Sequence, residues 1–147
     1  MTGVQTCALP ILARQRLAAG AKSCLAELAR GKMEDVTAEL VAVAARRKDG
    51  LALSVIDEAA GYLGIGLANL VNIINPQMVI IGGGVSKMGA MLFGPARKSM
   101  KEHAFKLPAR TVRVVRPRLG MDAGLMGAAI YTQEELMPIC PAPGAKR

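Results

Sequence analysis

MVIIGGGVSKMG, residues 78–89, is the stretch of this sequence that decides the fold. Four apolar residues precede three consecutive glycines, a pattern typical of a buried strand that enters a tight turn. Because glycine has no Cβ, a ligand can approach the backbone of such a turn closely. The helix that follows directs its N-terminal N–H groups, and the positive end of its dipole, to the same place. This arrangement suits a phosphate or the ribose of a nucleotide.

The glycine turn matches neither of two common phosphate-binding motifs. Lys87 stands where G-x-G-x-x-G requires its third glycine, and no G-K-[ST] follows, as a P-loop would require. Many α/β domains use consecutive glycines only to join a strand to a helix. The local sequence therefore leaves two interpretations open, a phosphate-binding turn and a purely structural one.

Hydrophobic periodicity on both sides of the turn predicts an alternation of helices and strands. Helices are predicted over residues 35–48, 51–74, 87–103 and 122–136, strands over residues 78–81 and 111–116, and one or two helical segments over residues 12–30. Asp35 is the predicted N-cap of its helix, and Pro76 ends the longest helix. Two strands joined by a helix predict a parallel, right-handed crossover and hence an α/β fold class. Two strands are too few for the sheet of a domain, so we expect further strands outside this chain.

Small residues recur in two of the predicted helices. Gly61, Gly64 and Gly66 lie within the longest helix, where each glycine costs up to about 1 kcal/mol relative to alanine. They predict close packing against another backbone or, alternatively, the wall of a ligand cleft. The second cluster, LGMDAGLMGAA at residues 119–129, offers Asp122 as a helix N-cap. Both glycine clusters follow a strand, at the carboxyl end of a parallel pair, where open α/β sheets bind ligands.

The composition excludes several classes of protein. A chain of 147 residues with 52% hydrophobic and 20% charged residues is expected to be soluble and globular with one core. No unbroken apolar run reaches the ~18 residues of a membrane span. The net charge is +8 but aromatic residues make up only 3%, which predicts a solvated basic surface rather than a nucleic-acid platform. A minority of the charges is expected to attract an anionic ligand.

The cysteines and the two termini carry further predictions. Cys7, Cys24 and Cys140 form no C-x-x-C pair, which favours a reducing compartment and argues against a disulfide framework or a metal site. The opening MTGVQTCALPI resembles the translation of a short-read sequencing adapter, so we expect residues 1–11 to be non-native. The domain is then predicted over residues 12–137, with a proline-rich, disordered tail over residues 138–147. We therefore expect the chain to be a C-terminal piece of a longer parent protein.

Two segments together resemble a known family. GLANLVNIINPQMVIIGGGVSKMG (66–89) followed by RVVRPRLGMDAGLMGAA (113–129) is similar to the C-terminal half of the ROK family of repressors, open reading frames and kinases, and in particular to its bacterial glucokinases. The resemblance implies part of an actin-like, ribonuclease-H-like ATPase fold with two lobes around a cleft. It also implies phosphorylation of a hexose, with glucose favoured, by ATP and Mg²⁺. It further implies a cytoplasmic homo-oligomer without membrane or nucleic-acid partners.

The resemblance also implies which residues bind the nucleotide. In the family the GGG block approaches the ribose and phosphates of ATP, and the D-A-G-x-x-G block closes the same region. The matching cofactor-binding residues in this chain are Gly82, Gly83, Gly84, Val85 and Ser86 for the first block, and Asp122 and Gly124 for the second. Met121 departs from the asparagine that family members often carry there, which removes a polar contact.

Much of the family's machinery has no counterpart in this sequence. The D-x-G-x-T phosphate loop, the N-D pair with the catalytic aspartate, the E-x-G-H sugar motif and the C-x-C-G-x-x-G-C zinc knuckle do not occur. We therefore expect no catalytic residue and no metal ligand here, and an inactive chain, although the parent family carries a structural zinc. His103, the only histidine, is predicted to be solvated. Two alternatives to a glucokinase stay open: a ROK transcriptional repressor, and another ROK sugar kinase such as an N-acetylmannosamine kinase.

Overall fold

The fold is built from helices around one small parallel sheet. The computed structural model describes residues 8–136. In chain order the elements are α1 (Ala8–Ala18), α2 (Leu25–Leu28), α3 (Ala38–Arg46), α4 (Gly50–Ile74), β1 (Met78–Ile80), α5 (Ala90–His103), α6 (Lys106–Thr111), β2 (Arg113–Val115) and α7 (Ala123–Leu136). Single 3-10 turns occupy Met33–Asp35, Gly84–Met88 and Gly120–Asp122.

Helix α4 forms the centre of the core, as its periodicity predicts. It begins at Asp49, whose side chain caps it by accepting a hydrogen bond of 2.9 Å from the N–H of Ala52. It ends at Asn75, which adopts the left-handed conformation with φ 49° directly before Pro76. Its buried residues include Val55 and Ile56 and repeat at helical spacing along one face. By length and composition α4 is long and apolar enough to cross a membrane, but in this fold it packs against α1, α3 and α5.

Helices α4 and α5 approach each other closely at a glycine. A Cβ added to Gly64 would lie 2.5 Å from the Cβ of Ser99 and 2.6 Å from the carbonyl oxygen of Ala96. The hydroxyl of Ser99 donates to the carbonyl of Gly61 at 2.9 Å across the same contact. The predicted close packing is therefore confirmed at Gly64, whereas Gly66 faces open space.

The sheet pairs β1 with β2 in parallel, which confirms the predicted parallel arrangement of the two strands; the right-handedness of their connection stays a prediction. The register places Met78 opposite Arg113, Val79 opposite Val114 and Ile80 opposite Val115. Val114 is buried in the core, whereas Ile80 is 60% exposed on the other face. Each strand is shorter than predicted, at three residues. The expectation of further strands outside the chain stays a prediction.

Three local predictions are wrong for identifiable reasons. Asp35 does not cap α3, because it lies in a 3-10 turn; Thr37 caps the helix and accepts from the N–H of Leu40 at 3.3 Å. The helix predicted from residue 87 begins only at Ala90, because the segment before it forms a 3-10 turn that ends at Gly89 with φ 60°. The sequence predicts no element over residues 104–110 and a strand from residue 111, whereas Lys106–Thr111 forms the short helix α6, whose proline and basic residues show no apolar period.

The N-terminal segment divides between described and undescribed residues. Residues 1–7, including Cys7, and residues 137–147, with the predicted tail and Cys140, lie outside the described part. Residues 8–11 form the first turn of α1, and Leu9 there is only 2% exposed and belongs to the core. The helix thus extends across the predicted boundary at residue 11, and the origin of residues 1–11 stays a prediction.

Candidate functional site

A cleft opens at the carboxyl ends of the two strands, where the sequence predicts a ligand. Its volume is about 630 Å³, which lies within the range of small-molecule sites. The 3-10 turn after β1, the first half of α5 and the segment after β2 form its walls. We call it the basic cleft; its lining residues are Ser86, Lys87, Gly89, Ala90, Phe93, Arg97, Val115, Arg116, Pro117, Arg118 and Gly120.

The glycine turn presents bare backbone next to this cleft. Gly83 has φ 84° and ψ 176°, a conformation that only glycine adopts readily. The hydroxyl of Ser86 donates to the carbonyl of Gly83 at 2.7 Å and closes the turn. A Cβ on Gly82 would contact the ring of Pro117 at 3.7 Å, whereas a Cβ on Gly83 or Gly84 would meet nothing within 4 Å. The space above Gly83 and Gly84 is therefore open to a ligand.

The cleft carries strong positive charge. Lys87, Arg97, Arg116 and Arg118 line it, and no carboxylate of the described residues does. Arg97 is held in place from two sides: its Nη2 donates to the carbonyl of Val114 at 2.5 Å, and its guanidinium lies 5.6 Å from the centre of the Phe93 ring. Cations gathered without acidic partners favour an anionic ligand.

The predicted cofactor-binding residues are brought together only in part. Ser86 lines the cleft, and Gly82, Gly83 and Gly84 form the exposed turn beside it. Val85 is half-buried and packs against the hydrophobic core instead. Asp122 and Gly124 are exposed and do not line the cleft, although Gly120, just before them, does. Nucleotide binding by these residues stays a prediction.

The cationic wall of the cleft is not among the site residues predicted from the sequence. In the sequence the basic residues are scattered, which predicts a solvated surface with only a minority of charges near a ligand. The pairing of β1 with β2 brings Arg116 and Arg118 opposite Lys87 and Arg97. The available signal was the position of Arg116 and Arg118 directly after a predicted strand, at the end where α/β sheets bind ligands.

The described residues offer little for metal binding or acid–base chemistry. Within residues 8–136 no group of three or more His, Cys, Asp or Glu side chains could hold a metal ion. Glu58 is engaged in an ion pair with Arg16. Asp57 lines a separate pocket of about 380 Å³ beside α4, together with Leu53, Ile56 and Met91 among others. His103 is exposed, with its Nδ1 2.8 Å from the carbonyl oxygen of Ser99, in keeping with its predicted solvation.

The shifted pKa values lie away from the cleft, where α2 meets α4. Burial alone would raise the pKa of Asp49, but hydrogen bonds from the N–H groups of Ala52 and Cys24, then from Ser23 and the Cys24 side chain, outweigh it and lower that pKa. Burial, and next the neighbouring Asp49, raise the pKa of the Cys24 thiol. These groups hold two helices together and play no part in the cleft.

The sequence has clear relatives among known proteins. The model of the ROK family matches residues 5–135. The chain is 39% identical over 100 residues to a glucokinase of Halalkalibacterium halodurans, covering 68% of this chain and 30% of that protein. It is 37% identical over 106 residues to a glucokinase of Thermotoga maritima, covering 72% and 33%. The chain thus spans about a third of the length of the curated relatives it matches.

Solved structures give the same result. A ROK family glucokinase from Streptomyces griseus, in complex with glucose and AMPPNP, superposes with a TM-score of 0.74 at 33% identity, over 84% of this chain and 40% of that one. A ROK family transcriptional regulator, a homologue of the Escherichia coli MLC protein, superposes with a TM-score of 0.73 at 28% identity, over 85% and 30%. These likenesses confirm the predicted fold class, part of an actin-like ATPase fold. The chain belongs to the ROK family.

Proposed function

We propose that this chain is part of an ATP-dependent hexose kinase, with glucose as the favoured sugar, and that it forms one wall of the nucleotide site. The observation that carries the proposal is the open glycine turn beside a basic cleft, at the carboxyl ends of the parallel strands. The relatives add support, since the similar proteins of Halalkalibacterium halodurans and Thermotoga maritima are both named glucokinases. One solved neighbour was crystallised with glucose and an ATP analogue.

The residues of the turn and cleft would bind and orient the nucleotide. Gly83 and Gly84 leave room for the nucleotide to contact the backbone of the turn. The cleft arginines match the negative charge of the nucleotide's phosphates. The nucleotide, with its Mg²⁺, supplies the phosphoryl group that is transferred. Transfer also needs a carboxylate that accepts the sugar's hydroxyl proton, and no carboxylate among the described residues lines the cleft. We therefore propose that the catalytic aspartate, the Mg²⁺ cradle and the structural zinc belong to the rest of the parent.

The remaining properties of the parent are part of the same proposal. A hexose kinase of this family would work in the cytoplasm as a homo-oligomer, with its sugar held by the part of the protein beyond this chain. The free thiol of Cys24 fits a reducing compartment. An N-acetylmannosamine kinase or another ROK sugar kinase differs from a glucokinase in that sugar-binding part.

A ROK transcriptional repressor is the second candidate, and a specific observation favours keeping it. The regulator structure superposes almost as well as the glucokinase, with TM-scores of 0.73 and 0.74. The fold of this region is thus shared by both classes. The reading frame upstream of the chain separates them: D-x-G-x-T near its start favours the kinase, and a winged-helix segment favours the repressor.

A substitution in the glycine turn tests the proposal directly. Gly84 has an ordinary backbone conformation and open space around it, so Gly84→Val fills the ligand's position without a clash inside the protein. We expect this variant to weaken ATP binding to the 147-residue chain by about tenfold or more, as a blocked contact does, with an unchanged melting temperature. The matched control is Gly94→Val, because Gly94 is exposed, meets nothing within 4 Å and lies on α5 outside the cleft lining. Equal ATP affinity in both variants would contradict the proposal.

A further inference from the structure

A second pocket lies between α4 and α5, apart from the basic cleft. Its volume is about 380 Å³, which falls within the range of small-molecule sites. Its lining residues are Leu53, Ser54, Ile56 and Asp57 of α4, and Met91 and Pro95 of α5. None of these residues lines the basic cleft, so what binds here is a separate question from what binds beside the glycine turn. We call it the acidic pocket.

Apolar side chains form most of the wall of the acidic pocket. Leu53, Ile56 and Met91 contribute aliphatic and thioether groups, and Pro95 adds the methylenes of its ring. Ile56 belongs to the core, where it is only 1% exposed, and Met91 packs against the same core. This part of the wall is therefore held by packing that does not depend on a ligand. A hydrocarbon chain that enters the pocket leaves water and gains contact with that wall.

The polar side chains that line the acidic pocket are hydrogen-bond acceptors. Ser54 already donates its hydroxyl proton to the carbonyl of Leu51 at 2.9 Å. Asp57 lines the pocket with its carboxylate, which forms no ion pair with any residue in the range 8–136. No basic side chain is among the lining residues. The side chains of this pocket thus favour a ligand that donates hydrogen bonds and carries positive charge.

Pro95 adds a backbone acceptor to the same wall. Proline has no N–H, so the carbonyl of Met91, four residues earlier in α5, lacks the donor that a helix normally provides. Helical carbonyls point along the axis towards the residue four positions later, and Met91 and Pro95 both line the pocket. The acidic pocket therefore combines a carboxylate from α4, a main-chain carbonyl from α5 and an apolar wall.

The same stretch of α4 already holds one guanidinium group. Arg16 of α1 forms an ion pair with Glu58 and donates a hydrogen bond to Ser54, one helical turn away from that glutamate. Arg16 neutralises Glu58 but leaves the charge of Asp57 without an ion-pair partner among the described residues. In a chain of net charge +8, this stretch thus carries a local excess of negative charge, which attracts a cation.

We propose that the acidic pocket binds an aliphatic cation, which is a guanidinium or ammonium group on a short hydrocarbon stem. The carboxylate of Asp57 and the carbonyl of Met91 accept hydrogen bonds from the charged group, and the stem lies along the apolar wall. A free amine or guanidine carries this chemistry, and so does an arginine or lysine side chain of another polypeptide. The test separates these two sources.

The test titrates the 147-residue chain with butylguanidinium and follows the amide chemical shifts by NMR. We expect shifts confined to the residues around the acidic pocket and a dissociation constant of about 1–10 mM, as one partly exposed ion pair with a short apolar stem provides. Methylguanidinium should bind at least about fivefold more weakly, because its stem lacks three methylenes. The peptide acetyl-Gly-Arg-Gly-amide should bind as well as butylguanidinium if the pocket takes a side chain, and more weakly if it takes a free cation.

Two variants test the two acceptors. Asp57→Asn should raise the dissociation constant of butylguanidinium at least about fivefold, since the ion pair is lost. Pro95→Ala restores the N–H that occupies the Met91 carbonyl, and it should raise the dissociation constant by about two- to fivefold while the melting temperature stays equal or rises. A weaker site in an equally or more stable protein cannot be attributed to unfolding.

Glu102→Gln is the matched control for the loss of charge, because Glu102 is an exposed carboxylate of α5 that does not line the pocket. It should leave the dissociation constant unchanged. The proposal is overturned if butylguanidinium does not bind, if methylguanidinium binds equally well, or if Asp57→Asn or Pro95→Ala binds as the unaltered chain does. A loss in Glu102→Gln as large as that in Asp57→Asn would equally overturn it, since the attraction would then be unspecific.

Discussion

Gly64 lies so close to Ser99 that a Cβ on the glycine would be only 2.5 Å from the Cβ of the serine. Gly64→Ala must therefore push α4 and α5 apart, and we expect it to lower the free energy of unfolding by about 1–3 kcal/mol. Gly66→Ala is the control, because Gly66 is exposed on the same helix with nothing within 4 Å, and it should raise stability by up to about 1 kcal/mol. Urea unfolding of both variants measures the difference, and equal effects would contradict close packing at Gly64.

Asp49 joins α2 to the start of α4, and its ionisation should make stability depend on pH. Its pKa in the folded chain lies below the ordinary value of 3.8, because hydrogen bonds from Ala52, Cys24 and Ser23 outweigh the effect of burial. Since the folded pKa is the lower one, this stabilisation is fully present above about pH 5 and is lost as the pH falls through 3.8 and then through the folded pKa.

Asp49→Asn should reduce the free energy of unfolding at pH 7 by about 0.5–2 kcal/mol, as loss of a good helix cap does. It should also flatten the decline of stability in acid. Unfolding curves recorded from pH 7 down to about 3 check both effects. Asp57→Asn serves as the control, because that carboxylate is exposed. An unaltered acid profile in Asp49→Asn would show that the hydrogen bonds to this carboxylate do not stabilise the fold.

Gly83 and Gly84 are neighbours, but alanine is expected to lower the stability of the fold at Gly83 and to leave it nearly unchanged at Gly84. Gly83→Ala forces a side chain into a backbone with φ 84° and should cost of the order of 1–3 kcal/mol. Gly84→Ala introduces neither strain nor a clash, so its effect should stay within about 0.5 kcal/mol. Thermal melts of the two variants under identical conditions give the comparison. A tolerated Gly83→Ala would mean that the turn does not need its left-handed residue.

The 147-residue chain alone should not phosphorylate glucose. The cleft offers cations for an anion, but the described residues that line it include no carboxylate that could act as the general base or bind Mg²⁺. A coupled assay for glucose 6-phosphate with ATP and Mg²⁺ measures this, with a full-length ROK glucokinase as the positive control. Turnover that rises in proportion to the concentration of purified chain would contradict the assignment of catalysis to the rest of the parent.

The sequence predicts those features of the fold that depend on residues close to one another along the chain. Helix α4 could be predicted because its apolar period is long and Asn75–Pro76 ends it. Thr37 could not be distinguished from Asp35 as a cap, since both residue types cap helices and only the path of the chain decides. The cationic wall could not be predicted because Arg97 and Arg116 are distant in sequence, and the pairing of β1 with β2 brings them to one cleft.

The hydrogen bond from Arg97 to Val114 ties the cleft to the sheet. Anything that immobilises the guanidinium also restrains the β2 carbonyl, and with it the pairing of β2 to β1. An anion in the cleft should therefore slow deuterium uptake at the amides of Ile81 and Arg113, which donate across the strand pair. Ligand occupancy and strand cohesion would then be two readouts of one coupled equilibrium.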